Sequence, residues 1–339
     1  MRARIRFIAP LAMAVALTAA CGSSGSSGTG GNAASGSSGG SGGSGASCAP
    51  VSDSKLVVLE DDKHLQNADN VVPAVNSGAA QSDPALLPTL NAVSAKLTTK
   101  DLVAMNNAVD VQRKSADDVA AAWVKDHDVT SGLTKGSGKV TVGAAGFTES
   151  KILATIYSDV LKAAGFDASV RDVGSRELYL PALTAGTDIQ AFPEYAATVT
   201  EFINKQVNGP NATPIATGDV KATLSAVKPL AEQLHLTFGE PSPAADQNAF
   251  AVTKKLADTL KVTKLSQLAA ACSGSSLVLG GPTECPTRPF CQPGLEKTYG
   301  LKFGSFQALD AGGPLTKAAI QQGKVSIGLV FSSDGSLAP

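Results

Sequence analysis

Residues 140–195 read VTVGAAGFTESKILATIYSDVLKAAGFDASVRDVGSRELYLPALTAGTDIQAFPEY. Val140 to Gly143 is a short apolar run that predicts a strand. Thr148 fits a helix N-cap, and Glu149 suits the positive end of the first turn. Ile152, Leu153, Ile156, Tyr157, Val160 and Leu161 recur at helical spacing until Gly165, a C-terminal stop that tolerates a left-handed backbone. Ala168 to Val173 predicts a second strand, Ser175 caps a second helix through Leu183, and Ile189 to Phe192 predicts a third strand ending in an aromatic turn. The pattern is β-α-β-α-β. It predicts an α/β fold built on a parallel sheet, with ligands held at strand ends beside helix N-termini.

Outward from this stretch, the chain divides by composition. Arg2, Arg4 and Arg6 precede an apolar run from Phe7 to Leu17, too short to span a bilayer but suited to a secretory signal over 1–21. Residues 22–48 are nearly all Gly and Ser, which cannot bury enough apolar surface to fold. As a tether they would span roughly 25–30 Å root-mean-square. The remainder is 43% hydrophobic over the whole chain and long enough for two lobes. A net charge of −1, without basic stretches or interleaved aromatics, gives no reason to expect a nucleic-acid partner.

Five cysteines are present. After Cys21, an even four remain, which outside the cytoplasm favours disulfides. Cys285 and Cys291 enclose the short PTRPF loop and are expected to pair; Cys48 and Cys272 follow by elimination. No pair has zinc-type CxxC spacing, so neither metal nor cofactor is expected. GGSGG at 39–43 matches a nucleophile-elbow pattern formally, but without a strand or helix around it. Gly138-Lys139 fails as a phosphate loop because Val140 replaces the required hydroxyl. His64, His127 and His235 are far apart and are expected on the surface or in packing. Glu60, Asp61 and Asp62 read as a solvated strand end.

GFTES, GSRELYLPAL and FPEY resemble the opening of substrate-binding proteins of osmoprotectant (glycine betaine, choline, carnitine) ABC transporters. SPAADQNAFAVT (242–253), TRPFCQPGLEKTYGL (287–301) and ALDAGGPLTKAAIQQGKVSIGLVFSSDGSL (308–337) extend the resemblance over nearly all of 139–339. In that family the GLVFSSDG-like strand is followed by a segment similar to LVVLEDDKHLQNADNVVP and then by closing helices. Here that segment stands at 55–78. The resemblance therefore implies a two-lobed, type II periplasmic-binding-protein-like fold in circularly permuted order. The family's closing portion would occupy 49–129, a linker 130–138, and its opening and central portions 139–339. The competing reading is a separate small domain at 49–129. Permutation places 139–200, the strands near Phe250 and Val71, and the helices through Val129 in one lobe. About 257–339 and Leu56–Glu60 would form the other.

TAAC resembles a lipoprotein box, with Cys21 as the lipidated mature N-terminus; simple secretion is the alternative. The resemblance implies a monomer at the extracytoplasmic face of the cell membrane, held by a lipid anchor, that binds a small solute and meets an ABC permease. A quaternary ammonium has no hydrogen to donate, so aromatic faces must hold it. The resemblance assigns that cage to Tyr195, Tyr179, Phe250 and Phe331, with phenylalanine where tyrosine is frequent. Arg288 would clamp a carboxylate. Phe147, Thr148 and Glu149 could face the cleft, although Thr148 as a purely structural cap is an equal reading. Arg176 and Glu177 either line the cleft or pair with each other. Asp246, Asn248 and Asp334 flank strands that contact ligand or brace the hinge. A sensor or surface binding protein, and an enzyme on a similar scaffold, remain rival classes.

Overall fold

A computed structural model describes residues 47–272 and 276–337. The signal segment, Cys21 and the Gly/Ser stretch to residue 46 lie outside the described residues. Among the described residues, ten strands form two five-stranded sheets. The first sheet contains β2 (Val71–Asn76), β3 (Lys139–Ala145), β4 (Asp167–Gly174), β5 (Ala191–Tyr195) and β6 (Leu236–Phe238), in the order β4-β3-β5-β2-β6. The second contains β1 (Leu56–Leu59), β7 (Asn248–Thr253), β8 (Val278–Gly281), β9 (Ser305–Ala308) and β10 (Ile327–Phe331), in the order β1-β7-β10-β8-β9. Both sheets are mixed. β3 runs parallel to β4 and β5, whereas β2 is antiparallel to β5 and β6. β8 is parallel to β9 and β10, whereas β7 is antiparallel to β10 and β1.

The decisive stretch folds as its periodicity requires. The Thr148–Ala164 helix buries Ile152, Leu153, Ile156, Tyr157, Val160 and Leu161 completely, and Gly165 ends it at φ 104°. Each such aliphatic side chain contributes about 1.5–3 kcal/mol by leaving water. Two local expectations need correction. Phe147, not Thr148, occupies the N-cap position, because the Thr148 hydroxyl donates instead to Asp110 Oδ1 at 2.7 Å. The third strand extends through Tyr195 with no turn at Pro193. Proline lacks the N–H that a central ladder uses, but Pro193 faces Pro73 of β2, so the two gaps coincide.

The segment before residue 130 is woven into both lobes. β1 forms an edge of the second sheet, and β2 lies between β5 and β6 of the first. Leu86, Leu90, Val93, Leu102, Met105 and Trp123, from the helices over 86–126, share one core with Ile152, Leu153 and Ile156. The segment 49–129 thus shares both sheets and one core with the later chain. One assignment differs from expectation: the strand carrying Phe250 belongs to the second lobe, where Phe250 pairs with Leu59 and Leu329 and is buried in that lobe's core. Of the acidic trio, Glu60 is the solvated end expected, paired at the surface with Lys264, whereas the two aspartates are half-buried and bonded. Asp61 accepts from the Leu65 and Gln66 amides and from the Tyr299 hydroxyl, and Asp62 accepts from Ser266.

Two segments cross between the lobes, residues 60–70 and 239–247. They hold each other: Asn70 and Ala245 form an antiparallel bridge, and the Asp246 amide donates to the Asp69 carbonyl at 3.1 Å. Both expected disulfides are present, Cys285–Cys291 and Cys48–Cys272. Among the described residues, no helix is long and apolar enough to cross a membrane.

Candidate functional site

The crossover segments floor a cleft of about 660 Å³ between the two sheets, within the range of small-molecule sites. Phe147 enters it from the end of β3, Tyr195 from the end of β5 and Phe331 from the end of β10. The Phe147 ring centroid lies 6.2 Å from Tyr195 and 5.4 Å from Phe331, so rings from both lobes meet at one place. Phe192, Phe202 and Phe290 add further apolar surface.

Carboxylates lie at the base. Asp69 and Asp246 both line the cleft and are buried. Burial pushes Asp69 up to about 7, opposed by the Thr198 amide and by Arg176. Burial also raises Asp246 well above the ordinary range, and repulsion from Glu149 adds to the effect. Glu149 stands behind the rings. It accepts from the Tyr195 hydroxyl at 2.6 Å, the Ser333 hydroxyl at 2.6 Å and Asn106 Nδ2 at 2.7 Å. Its burial outweighs those bonds and raises its pKa. The network thereby ties the tip of β10 to the first lobe.

The arginines are committed to acids. Arg176 donates through Nε at 3.1 Å and Nη2 at 2.8 Å to Glu194, and Tyr179 donates to the same carboxylate at 2.9 Å. Arg288 reaches across the cleft mouth to Glu177 at 3.0 Å and also meets Glu284 at 3.3 Å. The Arg288 charge beside it lowers the Glu177 pKa despite partial burial.

A family model for the substrate-binding domain of ABC-type glycine betaine transport systems matches residues 49–126 and 138–339. This chain belongs to that family. No curated protein matches it. Among solved structures, a substrate-binding protein from Microbacterium hydrocarbonoxydans, complexed with 4-hydroxybenzoate hydrazide, is similar at 14% identity with a TM-score of 0.28. That alignment covers 57% of this chain and 46% of the other, so it spans less than half of the solved chain.

In this member of the family, the sequence-derived residues distribute over three places. Phe147, Arg176, Tyr179, Tyr195, Asp246, Asn248, Arg288 and Phe331 line the cleft. Thr148, Glu149 and Asp334 line a smaller cavity of about 170 Å³ behind the rings, where Asp334 pairs with Lys317 at 2.7 Å. Phe250 lines neither, because its strand turns that side chain into the second lobe's core. Arg176 and Glu177 do not pair with each other: consecutive residues at the helix start diverge, one inward to Glu194 and one across the mouth to Arg288. Tyr179 stacks on Phe192 at 3.7 Å, which matches its packing role. Asp69, Thr198, Phe202 and Phe290 also line the cleft and were not singled out from sequence. The sole available signal for Phe290 was its place inside the Cys285–Cys291 loop. Asp69 carried none, since the chain order hides its pairing with Asp246.

Proposed function

We propose that this protein is an extracytoplasmic solute-binding lipoprotein that delivers a quaternary-ammonium osmoprotectant to an ABC permease. The observation that carries this reading is the meeting of Phe147, Tyr195 and Phe331, drawn from both lobes, above buried carboxylates. Each ring facing a cation contributes about 0.5–2 kcal/mol, more when water is excluded. Several rings supply much of the roughly 8 kcal/mol that micromolar binding needs. Because the rings belong to different lobes, a ligand among them stabilises the closed arrangement over the open one. The permease then recognises the closed form, and no covalent step is required of the binding protein.

We read the chain order as a circular permutation of the family. Two observations support it: the family match falls in two segments, and the early segment supplies a strand to each sheet. Lipidation at Cys21 would hold the protein at the membrane surface, with the Gly/Ser-rich stretch 22–48 as the tether.

Calorimetric titration with glycine betaine, choline, carnitine and proline betaine tests the reading. At least one should bind with micromolar or tighter affinity. If none binds while a polyol or neutral aromatic solute does, the aromatic cage is refuted and the family fold serves another solute.

A further inference from the structure

We propose that Asp69 and Asp246 set the charge of the ligand, admitting carboxylate-free ammonium cations such as choline and excluding zwitterions such as glycine betaine. This rests on the quaternary-ammonium reading above and narrows it.

The argument is a charge census of the cleft. Asp69 and Asp246 sit side by side, because the crossover segments that carry them are hydrogen-bonded at these very residues. Asp246 Oδ1 accepts the Ser333 amide at 2.9 Å and the Ser332 hydroxyl at 3.2 Å, and Asp69 Oδ1 accepts the Thr198 amide at 3.0 Å. These neutral donors fix the two carboxyl groups in place and bring no positive charge to them. Glu149 and Glu194, both buried, stand beside them. Against these four acids the single buried cation among the described residues is Arg176, whose guanidinium is spent on Glu194 and Thr198. Arg288 is spent on Glu177 and Glu284. Lys205 lies at the rim, donating to the Thr287 carbonyl at 3.4 Å. The helix that begins beside Phe147 presents Glu149 in its first turn, so its positive end already faces an acid.

A cation among the rings therefore meets two acids that no buried cation pairs with, and it favours their ionised form. A carboxylate in the same place meets Asp69 and Asp246 with no uncommitted guanidinium to answer it. Such mispairing is how a site rejects a close analogue. Burial favours the neutral form of both acids, with the Glu194 charge adding to the effect at Asp69 and the Glu149 and Asp69 charges adding to it at Asp246. An entering cation reverses that preference. Binding should expel protons.

The wild-type protein gives the first test, by titration with choline and glycine betaine in two buffers of different ionisation enthalpy. Choline should bind at least about tenfold tighter than betaine, release protons near neutrality, and gain about tenfold in affinity between about pH 5.5 and about pH 8. Equal or tighter betaine binding overturns this inference while leaving the quaternary-ammonium reading intact. Binding of neither overturns that reading itself. Asp246→Asn, which keeps an oxygen for the Ser333 amide, should weaken choline by about tenfold or more and leave betaine unchanged or improved. Asp69→Asn, which keeps the acceptor for Thr198, should act in the same direction. Equal losses for both ligands in both variants would show that the two acids brace the hinge and choose nothing.

Discussion

Two arginine–glutamate pairs border one cleft and differ mainly in depth. Arg176–Glu194 is almost wholly removed from water, with side chains 6% and 0% exposed, and a tyrosine hydroxyl and a threonine complete its bonds. Arg288–Glu177 bridges the mouth with side chains 27% and 42% exposed. The inner pair joins β5 to the helix that follows β4, within one lobe. The outer pair joins the two lobes. Depth thus separates a pair shut away from water within one lobe from a water-exposed pair that links the two lobes. In the first, losing a partner strands a charge in a dry interior; in the second, water replaces the partner at little cost.

The comparison is broken most directly at Arg176. Arg176→Ala leaves Glu194 uncompensated and should destabilise the protein by about 3–5 kcal/mol in denaturant unfolding. A loss below about 1 kcal/mol would mean that the inner pair is no more structural than the outer.

A smaller effect is expected at Asp69. Its folded pKa, about 7, lies above its ordinary value of 3.8, so the folded state holds the proton more tightly than the unfolded chain. That contribution is fully present below the ordinary value and is lost as pH rises through about 7. Asp69→Asn should therefore raise the melting temperature of the ligand-free protein more at about pH 8 than at about pH 5, by a few degrees. An equal change at both pH values would remove the buried-acid account.

The smallest effect belongs to Arg288. Arg288→Ala should cost about 0–1 kcal/mol in stability, given solvent screening, and should shift choline and betaine affinities alike. A selective loss of betaine binding of about tenfold or more would restore the carboxylate clamp expected from sequence and would sharpen the contrast differently.

The elements that the sequence made legible are those with strong local periodicity. The Thr148–Ala164 helix, its glycine stop and the parallel β3–β4–β5 core need only the spacing of apolar residues. The strand roles of Leu56–Leu59 and Val71–Asn76 could be read only through the family resemblance, because their partners lie more than a hundred residues away. The cleft was less legible. Phe250 alternates to the core face of β7, and a shift of one residue in a strand's facing reverses such an assignment. Arg288 looked like an available fork because Glu177, 111 positions earlier, gives no local sign of approaching it. Asp69 escaped notice for the same reason: its burial and its neighbour Asp246 exist only after the crossover segments pair.

Cys48 and Cys272 have a mechanical consequence. Their bond fastens the start of the described polypeptide to the second lobe, and the Ser326 hydroxyl reinforces the joint through the Cys48 carbonyl. Any load carried by residues upstream of Cys48 is thus delivered to that lobe alone. If the N-terminal side is moored as proposed, that attachment reaches the second lobe first and the lobe bearing Phe147 and Tyr195 only through the crossover segments.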